Sequence, residues 1–483
     1  MDSQLEQQLE AHTIALNKWL YAESVGLGVP EDGYVAPATA LKQLYADLLD
    51  HPDPATRFFA LEQWSEARRA ALESQVTAEF DRYARVDELT CSEGPLTWRN
   101  WKAFEREAPD AATLTQGFER LVERSAALAP ILEERLAAGR SDYARFSTTA
   151  VHTFCWREGL TPEQLHTFLV QAGEASRTPF QAALNELSHT VFGRPAGPAE
   201  LRALYLNRMY EPLAGKIEKE MTKGTETEGN RGGNSTAFAL SAVKKTLQAF
   251  EQLSFNINHV PVDLENRPRK YPGAFCFPVA TPQDVRVSVR IASAHHLLDM
   301  LYHEFGHAAH FSSIRADLPF IDRYWIHSGQ HETFSTLFEY LLGEPEFLRE
   351  NFGFDDNTVE QLVAFHRFKR TLTNTWLNAA ALTALEGWLE NLNWQAVEQR
   401  YAAWMLKLCG VPMPPGFARL NPFVNALSIY PAGYVLAEAR VEAWLAALRA
   451  RVGLRWWRSP QAQTEIRQKI ELGGRVAFSA VMD

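Results

Sequence analysis

The chain has 483 residues, of which 46% are hydrophobic and 22% charged, so it can fill a large folded core and extended disorder is not expected. Its net charge is −11, and it contains no run of Lys and Arg, which argues against nucleic acid or an anionic membrane as a partner. The four cysteines, at positions 91, 155, 276 and 409, form no CxxC pair. This excludes a cysteine-based zinc or redox site of that kind and is typical of reduced thiols in a cytoplasmic protein.

The N-terminal stretch MDSQLEQQLEAHTIALNKWL lacks the basic and apolar regions of a signal peptide. No apolar stretch elsewhere is long enough to span a bilayer without an interruption by Pro or Gly. We therefore expect a cytoplasmic protein that does not contact membranes.

The first half of the chain predicts helices, since apolar residues recur every three or four positions over residues 3–220. The segment 222–235, TKGTETEGNRGGNS, has four glycines and no apolar side chain, which is typical of a loop or linker. We therefore predict an N-terminal helical lobe over residues 1–221, a linker over 222–235 and a second lobe over 236–483.

The composition changes over residues 258–293, which are rich in Pro, Gly and β-branched residues. Within this segment DVRVSVRI, residues 284–291, alternates polar and apolar residues as a half-buried strand does. Ser293 is a candidate N-cap for a helix to about Ser313. Further helices are predicted at residues 331–342, 356–391, 394–408, 434–451 and 460–471. The sequence thus predicts a mostly-α protein with one small sheet.

The stretch LYHEFGHAAH, residues 301–310, places two histidines four positions apart on a predicted helix. Residues at this spacing lie one above the other, so His303 and His307 can direct two imidazoles at one metal ion. Glu304 flanks the ion and is suited to act as a base on a water molecule. Gly306 costs about 1 kcal/mol relative to Ala inside a helix, which suggests that another backbone passes close by. The alternative is a pair of ordinary helix histidines satisfied by their neighbours.

A hydrolytic zinc site needs a third protein ligand and one open position. Glu332, in the stretch HETFSTLFEYLL, is the candidate, because the apolar stripe of its helix lies on the opposite side. Glu339, seven residues later, could orient a ligand histidine. His310 is interpreted as a packing residue, since a fourth ligand would close the site. The sequence leaves open which of the nearby polar side chains support the ligands: Asp299, His327, His331 and Glu339.

Together these motifs resemble the M3 family of zinc metallopeptidases, which includes thimet oligopeptidase, neurolysin and oligoendopeptidase F. HEFGH is followed by a Glu 25 residues after its second His, and RPRKYPGAFC and IYPAGYVLAEA are similar to segments upstream and downstream of that motif in the family. The resemblance implies a two-lobed helical zincin fold around a deep channel. It also implies one Zn²⁺ on His303, His307 and Glu332, with Glu304 as general base.

In this family a tyrosine of the downstream segment donates to the oxyanion, and here Tyr434 aligns best while Tyr430 is offset. The alternative for each is a packed aromatic side chain beside a Pro-Gly bend. The expected substrates are short unstructured oligopeptides, paired with the free edge of the strand at 284–291.

Two other functions stay open. DVRVS and HETFS are similar to elements of the M32 metallocarboxypeptidases, although CFPVA replaces that family's HPF element. A carboxypeptidase needs a cation near the metal to hold the terminal carboxylate, and the candidates are Arg269, Lys270, Arg286 and Arg290. The third function is a non-catalytic binding scaffold stabilised by zinc, in which Glu304 would have no role.

Overall fold

The computed structural model describes residues 1–30, 32–201, 210–222, 234–267, 269–291, 293–476 and 478. Helices account for most of these residues, and a small sheet lies in the second half of the chain, so the predicted fold class is confirmed. Among the described helices, none has both the length and the apolar composition to cross a lipid bilayer. The four cysteines are free thiols.

The helices of the first half begin where the sequence supplies an N-cap. Asp53, Asp110 and Thr161 each accept a hydrogen bond from a backbone N–H of the first turn. The helices are α1 (Ser3–Ser24), α2 (Asp32–Asp47), α3 (Pro54–Tyr83), α4 (Trp101–Glu107), α5 (Ala111–Arg124), α6 (Ala129–Ala144), α7 (Ala150–Glu158), α8 (Pro162–Phe192) and α9 (Glu211–Thr222).

A β-hairpin interrupts this helical half, where the sequence predicts helices throughout. Strands β1 (Arg85–Cys91) and β2 (Gly94–Thr97) pair antiparallel, and Val86 lies directly opposite Leu96. Both of these side chains are fully buried. The prediction of helix is wrong here. Each strand buries only one residue, and it does so against the opposite strand, so the spacing of apolar residues along either strand does not indicate a hairpin.

The helices of the second half lie close to their predicted positions. The metal-motif helix runs from Ala294 with Ser293 as N-cap residue, while the helix predicted from residue 331 begins at Ser328. The helix predicted from residue 434 begins at Tyr430. The helices are α10 (Asn234–Gln252), α11 (Ala294–Ser313), α12 (Phe320–Tyr324), α13 (Ser328–Glu339), α14 (Pro345–Phe352), α15 (Asp356–Leu389), α16 (Trp394–Cys409), α17 (Pro422–Asn425), α18 (Tyr430–Val452) and α19 (Pro460–Ile470).

The sheet beside α11 has the order β3-β5-β4, with β3 (Val262–Asp263), β4 (Ala274–Ala280) and β5 (Asp284–Val289). β5 pairs parallel with β3 and antiparallel with β4, so it is the central strand. The prediction that residues 284–291 offer a free edge to substrate is therefore wrong. The two edge strands are β3, which is only two residues long, and β4, and within the described sheet each pairs with β5 alone.

Two large hydrophobic cores support two lobes. The first combines residues between 210 and 365 with residues between 441 and 476, and the second combines residues between 76 and 201 with residues between 372 and 436. Helix α15 contributes its first turns to one core and its later turns to the other. The boundary at residues 222–235 stays a prediction, because residues 223–233 lie outside the described residues.

Helix α13 lies between α11 and α18, and a glycine permits each approach. A Cβ on Gly306 of α11 would lie 2.7 Å from the Cα of Ser335, and a Cβ on Gly433 of α18 would lie 2.6 Å from the backbone nitrogen of Gly329. The expected close approach of a backbone at Gly306 is thus confirmed. These contacts bring the residues of three helices to one point.

Candidate active site

The side chains of His303, His307 and Glu332 meet where α11 crosses α13. One ligand atom from each lies within 4.8 Å of the other two. Oε2 of Glu332 is 3.4 Å from Nε2 of His303 and 3.4 Å from Nε2 of His307. The two imidazole rings are perpendicular, with centroids 4.8 Å apart, so both edges converge on one point.

These three residues fit a zinc ion on two physical grounds. Zn–N and Zn–O bonds of 2.0–2.1 Å place the ligand atoms of a tetrahedral site about 3.3–3.4 Å apart, which matches the spacing from Glu332 to both histidines. The charge is also suitable. Burial opposes protonation of His303, but its hydrogen bond to Glu339 and the charges of Glu332 and Glu304 raise its pKa to about 9. The surrounding carboxylates therefore favour a cation at this position.

Glu304 lies beside these three residues but forms no salt bridge with any of them. It is 7% exposed, and burial raises the pKa of its carboxyl, while the charges of His303 and His307 partly oppose that rise. Its side chain lines the cavities on both sides of the His–Glu cluster. A buried carboxylate with a raised pKa at such a place is suited to accept and return a proton.

A buried network of charges supports His303 from behind. Nδ1 of His303 lies 3.0 Å from Oε2 of Glu339, and the ammonium of Lys369 donates to the other oxygen of Glu339 at 3.1 Å. The same ammonium lies 2.7 Å from Asp299, and Asp299 lies 3.2 Å from Nδ1 of His366. Glu339 therefore occupies the position expected of a carboxylate that orients a ligand histidine.

Asp299 does not reach His303, and it is connected to this histidine only through Lys369 and Glu339. Burial opposes ionisation of Asp299, yet the charge of Lys369 and the hydrogen bond of His366 hold its pKa well below the usual range. Lys369 lies on α15, far along the chain from the metal motif, and the sequence analysis did not identify it. The sequence does contain one indication of its role: Lys369 follows His366 by three residues on the same helix, a spacing that places both side chains on one face.

The two candidate tyrosines lie on the first turns of α18, beside the cluster. The hydroxyl of Tyr430 donates to Oε1 of Glu332 at 2.5 Å, and the ring of Tyr434 stacks on His303 with centroids 6.3 Å apart. Burial raises the pKa of both phenols, so both stay protonated and can donate. Tyr434 lines both cavities beside the cluster, and Tyr430 lines one of them.

The remaining histidines divide between the site and the core. His331 lies beside the site, with Nε2 3.5 Å from the hydroxyl of Tyr430, and burial lowers its pKa to about 3. His327 points away and lies 3.7 Å from Glu62. His310 is fully buried against Phe334, with ring centroids 4.4 Å apart, which is the packing role expected of it.

The cluster lies inside a channel between the two lobes. Cavities of about 290 Å³ and about 440 Å³ meet at Ala274, His303, Glu304 and Tyr434. The larger of these continues into a cavity of about 710 Å³ through shared lining residues that include Gln63. Space is therefore present on both sides of the cluster, as passage of an extended chain requires.

The four cations considered for a carboxypeptidase lie elsewhere. Lys270 is buried against Asp263 at 3.1 Å, Arg286 pairs with Asp284 at 2.7 Å, and Arg290 pairs with Glu93 at 3.2 Å. Arg269 pairs with Glu23 at the surface, with 68% of its side chain exposed. None of the four lines either cavity beside the cluster.

Comparison with known proteins identifies the fold. No protein-family model and no curated protein sequence matches the chain. Among solved structures, the chain is similar to one described as PZ peptidase A with inhibitor 2, at 13% sequence identity and a TM-score of 0.59. The similarity covers 99% of this chain and 92% of that one. The chain therefore has the two-lobed, mostly helical fold of that peptidase.

Proposed function

We propose that the chain is a zinc-dependent peptidase of the M3 type, which hydrolyses peptide bonds in short unstructured oligopeptides. One observation carries the proposal: two histidines and a buried carboxylate converge at metal-ligand spacing, with a further carboxylate, Glu304, beside them in an open channel. The solved structure that shares this fold is described as a peptidase with an inhibitor, which supports the same class of activity.

In this proposal His303, His307 and Glu332 hold the ion. Bound zinc supplies Lewis acidity, which makes water nucleophilic near neutral pH. Glu304 accepts the proton of the attacking water and then returns it to the amine that leaves. The burial that raises its pKa stabilises the neutral acid, which favours uptake of the proton from water.

The tyrosines supply the second part of the reaction. Tyr434 faces the space beside Glu304 and His303, so its hydroxyl can donate to the negative charge that develops on the scissile carbonyl oxygen. Tyr430 donates to Glu332 in the structure, and we assign it the role of holding that carboxylate in place.

Substrate peptides are proposed to pair with the edge of β4. Residues Ala274 to Pro278 line the cavity that contains Glu304. The amide of Asn17 on α1 donates to the carbonyl of Pro278 at 3.1 Å and so occupies one end of this edge. Within the stretch before Pro278 the backbone of Cys276 bonds to Glu304, and we propose the other main-chain groups of this edge for pairing, which is tolerant of side chains and requires an extended peptide. A folded protein could not enter in this way.

A peptide-library digest tests the proposal, with wild type compared with Glu304→Gln and the products mapped by mass spectrometry. We expect the wild type to cleave internal bonds of short peptides, including peptides with a blocked C-terminus. Glu304→Gln should bind the same amount of zinc and cleave nothing. Release of single C-terminal residues alone would favour a carboxypeptidase, and zinc content without any cleavage would favour a binding scaffold.

A further inference from the structure

The network behind His303 contains a second group of possible metal ligands. Ligand atoms of Asp299, Glu339 and His366 lie within 4.8 Å of one another, and all three residues are buried. The ammonium of Lys369 lies among them, 2.7 Å from Asp299 and 3.1 Å from Glu339. The positive charge at this second group of ligands is therefore supplied by the Lys369 side chain.

We infer that Lys369 is a positioning residue for the metal centre, acting on zinc through Glu339 and His303. This inference rests on the proposed function, because it concerns the same ligand set. Lys369 bonds to Asp299 and Glu339 and to none of the three metal-ligand candidates, so we expect its effect on zinc to pass through the hydrogen bond between Glu339 and His303.

The physical reason is the balance of buried charge. Asp299 and Glu339 place two carboxylates close together in a part of the protein from which water is largely excluded, where like charges repel strongly. Lys369 lies between them and bonds to one oxygen of each, which fixes the second oxygen of Glu339 against Nδ1 of His303. A neutral side chain at position 369 leaves the repulsion uncompensated and lets the Glu339 carboxylate turn away from His303.

The consequence for the metal follows from the imidazole. A ligand histidine whose second nitrogen donates to a carboxylate is held in one orientation and one tautomer, and loss of such a partner typically weakens metal affinity about 10- to 100-fold. Lys369 is one step further from the ion. We expect its removal to act in the same direction, because it removes the group that holds the carboxylate.

The experiment measures zinc affinity by competition with a chromophoric chelator, and the visible absorption of the cobalt-substituted protein. Lys369→Met should weaken zinc binding about 10-fold or more and change the cobalt spectrum. Lys369→Arg should restore most of the affinity, because it keeps the charge and its side chain lines a cavity of about 290 Å³ with room for a guanidinium. If Lys369→Met does not fold, Lys369→Gln takes its place.

Arg370→Met is the matched control. Arg370 is the next residue on α15, lines the same cavity and pairs with Glu438. Its loss removes one partly buried cation without touching Glu339, so zinc affinity should stay at the wild-type value. Wild-type zinc affinity in Lys369→Met, or an equal loss in Arg370→Met, would overturn the inference.

Failure of the inference about Lys369 can be distinguished from failure of the proposed peptidase function. If the wild type binds zinc but cleaves no peptide, the peptidase proposal fails, while the affinities still decide the role of Lys369. If zinc binding of the wild type does not depend on His303, tested with His303→Ala, the metal centre itself is wrong. In that case the inference about Lys369 is overturned with it.

Discussion

Gly306→Ala should damage the metal centre although it adds a single methyl group at a residue that binds nothing. The new Cβ would lie 2.7 Å from the Cα of Ser335 and 3.1 Å from its carbonyl oxygen. Favourable contacts between carbon atoms lie at about 3.5–4.0 Å, so α11 and α13 have to separate by about 0.8 Å or more. The atoms in the way belong to the backbone of α13, and a side-chain rotation cannot relieve the contact.

The separation acts on the ligands, because α11 carries the two histidines and α13 carries Glu332. The atoms of His303 and Glu332 are 3.4 Å apart, and metal–ligand distances are tolerant to only about 0.2 Å. We therefore expect zinc affinity to fall about tenfold or more. Overpacking costs about 1–3 kcal/mol and alanine regains about 1 kcal/mol of helix propensity, so the zinc-free protein should lose about 1 kcal/mol of stability.

The assays are denaturant unfolding of the zinc-free protein and a competition titration for zinc. Gly215→Ala is the matched control, because Gly215 lies inside α9 and a Cβ there would meet no atom of the described residues within 4 Å. That substitution should stabilise the protein by up to about 1 kcal/mol and leave zinc affinity unchanged. The reasoning is refuted if Gly306→Ala is as stable as Gly215→Ala and binds zinc as tightly as the wild type.

Three further predictions concern the tyrosines, the ion and the first helix. Tyr434→Phe should lower kcat of the zinc-saturated enzyme about 100-fold or more, beyond any loss of zinc affinity from its own hydrogen bond to Glu332. Tyr430→Phe should act mainly on zinc binding, because its hydroxyl supports Glu332, and steady-state kinetics with zinc titration check both. A chelator should abolish cleavage, and added Zn²⁺ should restore it in an activity assay. Glu10→Gln should lower the melting temperature at neutral pH, because the hydrogen bond from Arg323 holds the pKa of Glu10 below its usual value. This difference should vanish as the pH falls through that pKa, where the wild-type carboxylate is protonated as well.

Parts of the site follow from local geometry and were therefore predictable. The spacing of His303 and His307 fixes their common direction on any helix, and the cost of a glycine at position 306 indicates a close neighbour, which the structure places at Ser335. The sequence also predicts the helices around the site to within a few residues, because their apolar faces repeat along the chain.

Other parts depend on contacts between distant segments, which a local pattern does not encode. The alternation in DVRVSVRI indicates a strand, but it does not indicate which strand lies at the edge of the sheet. β5 is buried along most of its length, while β4 is half-buried almost throughout and shows no alternation. Lys369 contacts Glu339 and Asp299, which lie 30 and 70 residues away in the sequence. Asn17 contacts Pro278 of β4, which lies 261 residues away.

The central claim is that one zinc ion is held by His303, His307 and Glu332, with one coordination position open to solvent. The most direct measurement is a crystal structure of the zinc-loaded protein with anomalous diffraction data at the zinc edge. We expect one anomalous peak within about 2.0–2.2 Å of both Nε2 atoms and of a Glu332 carboxylate oxygen. A peak elsewhere, a Glu332 carboxylate turned away from the ion, or a fourth protein ligand in the open position would contradict the account.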